Sequence, residues 1–209
     1  MISLGLGVTV GDVNGDKRLD ILEANGWWEQ PASMEGDPEW TKHEALFGKG
    51  GAQMYAYDVN GDGRNDVITS LEAHGYGVAW FEQTNDGGAV GWRKHVIVGS
   101  KPEENPQGVK FSQPHAIALA DMNGDGLQDL VTGKRFWAHG PGGDAEPNAT
   151  PVLYWFELKR EGGKAGYTAH LIDDASGIGT QVVAGDVNGD SRPDVVVGNK
   201  RGSFVFFRR

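Results

Sequence analysis

Asp58-Val59-Asn60-Gly61-Asp62-Gly63-Arg64-Asn65-Asp66 has the pattern D-x-N-G-D-x-x-x-D, and the 209-residue chain contains that pattern four times. The other copies run Asp12 to Asp20, Asp121 to Asp129 and Asp186 to Asp194. An Asn-Gly pair between apolar runs would by itself read as a hairpin turn. Three aspartates at fixed offsets demand more, because that much like charge in one turn is repulsive unless a cation neutralises it. Carboxylates at positions 1, 5 and 9 and an amide at position 3 form an all-oxygen donor set. Calcium suits it, since it accepts six to eight oxygens at about 2.3–2.6 Å, whereas magnesium demands a stricter octahedron. An EF-hand is excluded, because that loop needs Gly at 6 and a bidentate Glu at 12. Position 12 here is Glu23, Thr69, Thr132 and Val197.

Motif starts at 12, 58, 121 and 186 are 46, 63 and 65 residues apart. Repeats of this size, rich in strands and turns, suggest propeller blades or a β-solenoid. Within each copy the same elements recur in order. A short apolar strand precedes the motif (Val8 to Val10, Met54 to Tyr57, Ala116 to Ala120, Val182 to Ala184) and a second follows it (Leu19 to Leu22, Val67 to Ser70, Leu130 to Thr132, Val195 to Val197). A third is aromatic (Trp27 to Gln30, Val78 to Gln83, Leu153 to Glu157, Phe204 to Phe207), and a fourth reads W/Y-x-x-H (Trp40 to Ala45, Trp92 to Ile97, Tyr167 to Ile172). Four short strands per unit joined by Gly-rich turns is the anatomy of a blade. The reading is an all-β propeller of four repeats in one domain over 1–209, with blades near 1–47, 48–99, 100–173 and 174–209. The last blade lacks its outer strand, so the chain is either a compact four-bladed ring or an arc of a larger one.

The D-x-N-G-D-x-x-x-D loop, followed by a W-F-E-Q strand and a W-x-x-H strand, resembles the FG-GAP/VCBS repeat of calcium-binding β-propellers. In that family the cation is held by side chains at loop positions 1, 3, 5 and 9 and a carbonyl at 7. The resemblance implies four Ca²⁺ sites. The first is Asp12, Asn14, Asp16 and Asp20 with the Arg18 carbonyl, and the second Asp58, Asn60, Asp62 and Asp66 with that of Arg64. The third is Asp121, Asn123, Asp125 and Asp129 with Leu127, and the fourth Asp186, Asn188, Asp190 and Asp194 with Arg192. Such ions are expected to be structural.

Composition fits this reading. Glycine is 33 of 209 residues, and there is no cysteine to staple the turns. The net charge of −10 comes from the loops: without their twelve aspartates the chain would carry +2. Nucleic acid is therefore an unsuitable partner. No run of about 18 apolar residues marks a membrane span. The first ten residues lack the basic start of a signal peptide and read as a strand. Calcium sites of this type suit millimolar external calcium. The expected location is extracellular or periplasmic, as part of a larger secreted chain, with a homodimer that completes the ring as a further expectation.

With the calcium loops at one end of the blades, the strand 2–3 turns and the connections between blades lie at the other. The insertions Gly99 to Pro114 and Ala138 to Pro151 fall there, and long loops on rigid scaffolds are where binding groups concentrate. His74, His115 and His139 break the repeat at this end. Gln53, Tyr76, Lys134, Arg135, Trp137, Gln181, Lys200 and Arg201 surround them. Imidazole, amide, cation and indole together suit a carbohydrate, an anionic one above all, or a protein ligand. The expected function is a calcium-stabilised binding module rather than an enzyme. The enzymatic alternative is a polysaccharide lyase, with His74, His115 or His139 as base, Tyr76 as acid and Lys134 or Arg135 neutralising a uronate. The repeated His43, His95 and His170 are expected to pack within strands.

Overall fold

The computed structural model describes residues 7–50, 52–87 and 89–208. Met1 to Leu6, read from sequence as the start of the first strand, lie outside the described residues; the strand itself begins at Thr9. Four antiparallel sheets follow one another as the blades of a β-propeller, with almost no helix. The first blade is β1 (Thr9–Gly11), β2 (Asp20–Glu23), β3 (Gly26–Glu29) and β4 (Thr41–Glu44). The second is β5 (Met54–Tyr57), β6 (Asp66–Ser70), β7 (Val78–Asp86) and β8 (Ala89–Val98). The third is β9 (Ile117–Ala120), β10 (Asp129–Gly133), β11 (Leu153–Glu161) and β12 (Lys164–Asp173). The fourth has three strands, β13 (Val182–Gly185), β14 (Asp194–Asn199) and β15 (Gly202–Phe206). In every blade the strands pair in chain order, and each aspartate loop joins the first strand to the second.

Alternation along the strands gives each sheet two apolar faces. In the second blade, Ala56, Val67 and Phe81 sit side by side on one face, and Tyr55, Ile68, Trp80 and His95 on the other. The first row joins Leu22, Trp27 and Phe47 in the core between blades one and two. Ile68 and Trp80 of the second row join Leu130 and Phe156 between blades two and three. A third core sets Val131 and Leu153 against Val195 and Val197. A strand sandwiched on both faces needs apolar residues throughout, and β6 and β10 are buried along their whole length.

Loop position 2 shows the direction of this packing. Val13, Val59 and Met122 plug the three junctions, while Val187 is 56 % exposed. The end faces of the series are likewise open: Val10 on the first blade, and Val183 and Val205 on the last, are exposed. Among the described residues no core joins the last blade to the first.

The outer hairpins are longer than their sequence suggests. Pairing of β7 with β8 and of β11 with β12 continues to Asp86↔Ala89 and Glu161↔Lys164. Arg160, on the extension of β11, reaches back to the second loop, donating to the Val59 carbonyl at 2.9 Å and to that of Asp58. Similarly, Gln83 Nε2 donates to the Val13 carbonyl at 2.9 Å and Asn65 Nδ2 to that of Asp12 at 2.7 Å. The loops of blades one and two are thus each held by the blade that follows.

Candidate functional site

Each aspartate loop is built from its own backbone. Glycine at position 4 is left-handed in every copy, with φ of 79° to 82° at Gly15, Gly61, Gly124 and Gly189. That reversal turns successive N–H groups inward. In the second loop, Asp58 Oδ1 accepts from Gly61 at 2.7 Å and Asp62 at 3.2 Å, and its Oδ2 from Gly63 at 3.0 Å. Asn60 Oδ1 accepts from Asp62 N at 3.0 Å, and Asp62 Oδ1 from Arg64 N at 2.9 Å. The other three loops repeat these bonds within a few tenths of an ångström.

The position 9 aspartates differ from the rest: Asp20, Asp66, Asp129 and Asp194 are fully buried. Asp129 Oδ2 accepts from Met122 N and its Oδ1 from Leu158 N, both at 2.8 Å, so this carboxylate ties its loop to the third strand. Burial pushes the carboxyls of Asp66 and Asp129 up to about 6, with the like charges at positions 1 and 5 adding to the rise and the N–H donors opposing it. Burial raises Asp20 in the same direction. Each carboxylate oxygen has two lone pairs, so one N–H bond leaves acceptor capacity for a metal. Three carboxylates and an amide oxygen with capacity to spare fit a hard cation. In the first two loops part of the charge is met by arginine, with Arg18 paired to Asp16 and Arg64 to Asp62.

At the opposite end the nonrepeating residues separate into groups. His74, from the β6–β7 turn, and His139, from the long β10–β11 connection, stack with ring centroids 4.7 Å apart. His115, just before β9, meets His74 edge-on at 5.5 Å. Asp144, which the sequence reading missed, lies between the first two. Its Oδ1 is 3.1 Å from Nδ1 of both His74 and His139. Asp144 sits in a Gly-rich stretch that reads only as loop, and its role depends on a turn bringing it back to His139.

Burial holds the His115 imidazole down at about 4, and Arg135 and His74 lower it further. Its buried Nδ1 has no hydrogen-bond partner among the described residues. Arg135 is half-buried, and its guanidinium makes no hydrogen bond among the described residues. Gln53 and Gln181 meet each other, Nε2 to Oε1 at 2.8 Å.

The remaining candidates brace this end of the molecule. Lys134 is only 1 % exposed, and its Nζ donates to the carbonyls of Arg135 at 3.0 Å and Pro147 at 3.4 Å, so it is placed to hold the loop rather than meet a ligand. Lys200 Nζ donates to the Ala138 carbonyl at 2.7 Å, and Arg201 to that of Ala175 at 2.8 Å. Trp137 donates to Asn148 Oδ1 at 3.1 Å. Tyr76 stands apart under Lys110, where burial and Glu146 push its hydroxyl up. Of the residues a lyase would use, Tyr76 and Lys134 are thus engaged by neighbouring groups, while the Arg135 guanidinium is not.

His43, His95 and His170 stack on Trp27, Trp80 and Trp155 at 4.1–4.2 Å. Their Nε2 atoms lie 2.8–3.0 Å from Glu29, Glu82 and Glu157, the glutamates of the aromatic strands. These are packing residues.

No helix among the described residues is long and apolar enough to cross a membrane. Residues 58–132 match the FG-GAP-like repeat, and residues 178–206 match the FG-GAP repeat. No curated protein is a significant match.

Proposed function

From the premise that this chain is a β-propeller built of FG-GAP repeats, we propose that it is a calcium-stabilised binding module whose face opposite the aspartate loops takes an anionic carbohydrate. The observation that carries the reading is the segregation of chemistry along the blades. The twelve loop aspartates gather at one end, while the other carries imidazoles around Asp144, a half-buried guanidinium and paired glutamines, drawn from three blades. Uronate or sulfate groups are matched by a guanidinium, and sugar hydroxyls by the amides. Sites of this calcium chemistry suit millimolar calcium, which supports a location outside the cytosol.

Calorimetry against acidic polysaccharides, with neutral ones as controls, tests the ligand class. Arg135→Ala is expected to weaken binding roughly tenfold, about 1.4 kcal/mol. Equal affinity for neutral and acidic glycans, or none for either, would overturn the assignment; capture of a protein ligand instead would replace it.

The calcium half has its own signature. Ligand carboxylates must be deprotonated, so protons compete with the ion. Asp66 and Asp129, raised to about 6, are half-protonated there in the metal-free loops. Calcium affinity of the second and third loops should therefore be flat above pH 7 and fall by up to about tenfold per unit well below pH 6. Titrations at pH 7.5 and 5.0 measure this, and equal affinities at the two values would contradict it.

A further inference from the structure

We infer that His74, His139 and Asp144 form a second kind of metal site, for a zinc-class divalent ion, at the end of the molecule opposite the aspartate loops. It does not depend on the carbohydrate reading, because it is tested without any glycan.

The donor atoms are already gathered. One ligand atom from each of the three residues can be chosen so that all lie within 4.8 Å of one another. The Nδ1–Oδ1 separations of 3.1 Å match the edge of a coordination polyhedron. With metal–nitrogen and metal–oxygen bonds of about 2.0–2.2 Å, neighbouring ligands stand roughly 2.9–3.4 Å apart between octahedral and tetrahedral angles. Two imidazoles and one carboxylate are a borderline-soft set that suits zinc, copper or nickel and not calcium, which requires oxygens. Three protein ligands also leave a coordination position open. Close by, the unpartnered Nδ1 of His115 is a buried acceptor or donor on a ring packed against His74.

The supports of these ligands are also in place. The Gln113 side chain, fully buried, accepts from Ala138 N at 3.3 Å and donates to the Ala145 carbonyl at 2.9 Å; these residues adjoin His139 and Asp144. Ser112 Oγ donates to the same Ala145 carbonyl at 2.8 Å, and Ala145 N donates to the His74 carbonyl at 3.4 Å. Gln113, Trp137, Asp144 and Glu146 all hold left-handed backbone, φ 42° to 58°. Such conformations are unfavourable in a residue with a side chain and persist only where surroundings over-determine them. A loop fixed this firmly presents its ligands with little left to organise.

The test is zinc calorimetry on the whole protein with calcium saturating the aspartate loops, together with cobalt absorption in the visible to report imidazole coordination. The expected result is one equivalent of zinc bound at micromolar affinity or tighter. His139→Ala and Asp144→Asn should each weaken it by more than about a hundredfold, beyond the roughly 10–100-fold that loss of an outer-shell partner costs. His139 is exposed, so its variant should melt as the parent does. His43→Ala, which removes a histidine–glutamate pair in the first blade, should leave zinc binding unchanged. Failure of the parent to bind zinc under these conditions overturns the site. So does zinc affinity that survives both His139→Ala and Asp144→Asn, or that is lost in His43→Ala.

Discussion

Removing calcium is expected to lower the melting midpoint by on the order of 20 °C or more. An ion present at a hundred times its dissociation constant, and absent from the unfolded chain, adds about 2.7 kcal/mol per site, so four sites contribute about 11 kcal/mol. A domain holds only about 5–15 kcal/mol in all. For a chain of this length each kcal/mol moves the midpoint by roughly 2–4 °C. The location of the loops makes the effect global. Val13, Val59 and Met122, at position 2, are buried in the three inter-blade cores, so a loop that relaxes releases a plug. Thermal melting in calcium and in EDTA measures the difference, and coincident melting curves would refute the structural-ion proposal.

Asp129→Ala is expected to cost about 3–5 kcal/mol even in EDTA. Its carboxylate is buried and accepts two backbone N–H bonds, from Met122 and Leu158. A hydrogen bond to a charged group contributes about 1.5–3 kcal/mol, and both N–H groups would be left buried without a partner. Asp125→Ala is the contrasting variant. Its carboxylate lies at the exposed tip, bonded to Leu127 N and Asn123 Nδ2, so the change should blunt the calcium response while costing little in EDTA. Denaturant unfolding of both variants with and without calcium separates the roles. Parent-like stability of Asp129→Ala in EDTA would show that position 9 acts only through the ion.

The two variants mark the boundary of what could be read from sequence. The aspartate loops were legible because their chemistry is local: nine residues supply both the turn and the donors. Strand order followed, since Val67 to Ser70 and Leu130 to Thr132 are apolar runs flanked by turns. The far ends of the hairpins were not legible. Thr84-Asn85-Asp86 and Lys159-Arg160-Glu161 are polar and read as loop, yet an exposed antiparallel ladder needs only backbone pairing to continue. The opposite end was legible only in part. His74, His115 and His139 stood out because they break the repeat. Asp144 and the clamp of Gln113 did not, because Asp144 meets His74 and Gln113 meets Ala138 and Ala145 across tens of residues, which no local pattern encodes. Lys134 looked like a ligand group from its charge, and only burial shows that its charge is spent on carbonyls.

The stacked pairs Trp27–His43, Trp80–His95 and Trp155–His170 give the molecule an optical property of its own. The surroundings of an indole set its emission, and here an imidazole held by a glutamate lies against its face. Three of the seven tryptophans carry such a partner, one in each complete blade. The emission of the folded protein is therefore a sum over seven tryptophans, three of which face an imidazole at known blades. Substituting one of these tryptophans at a time would let each blade be watched separately as the fold is pulled apart, with no label attached.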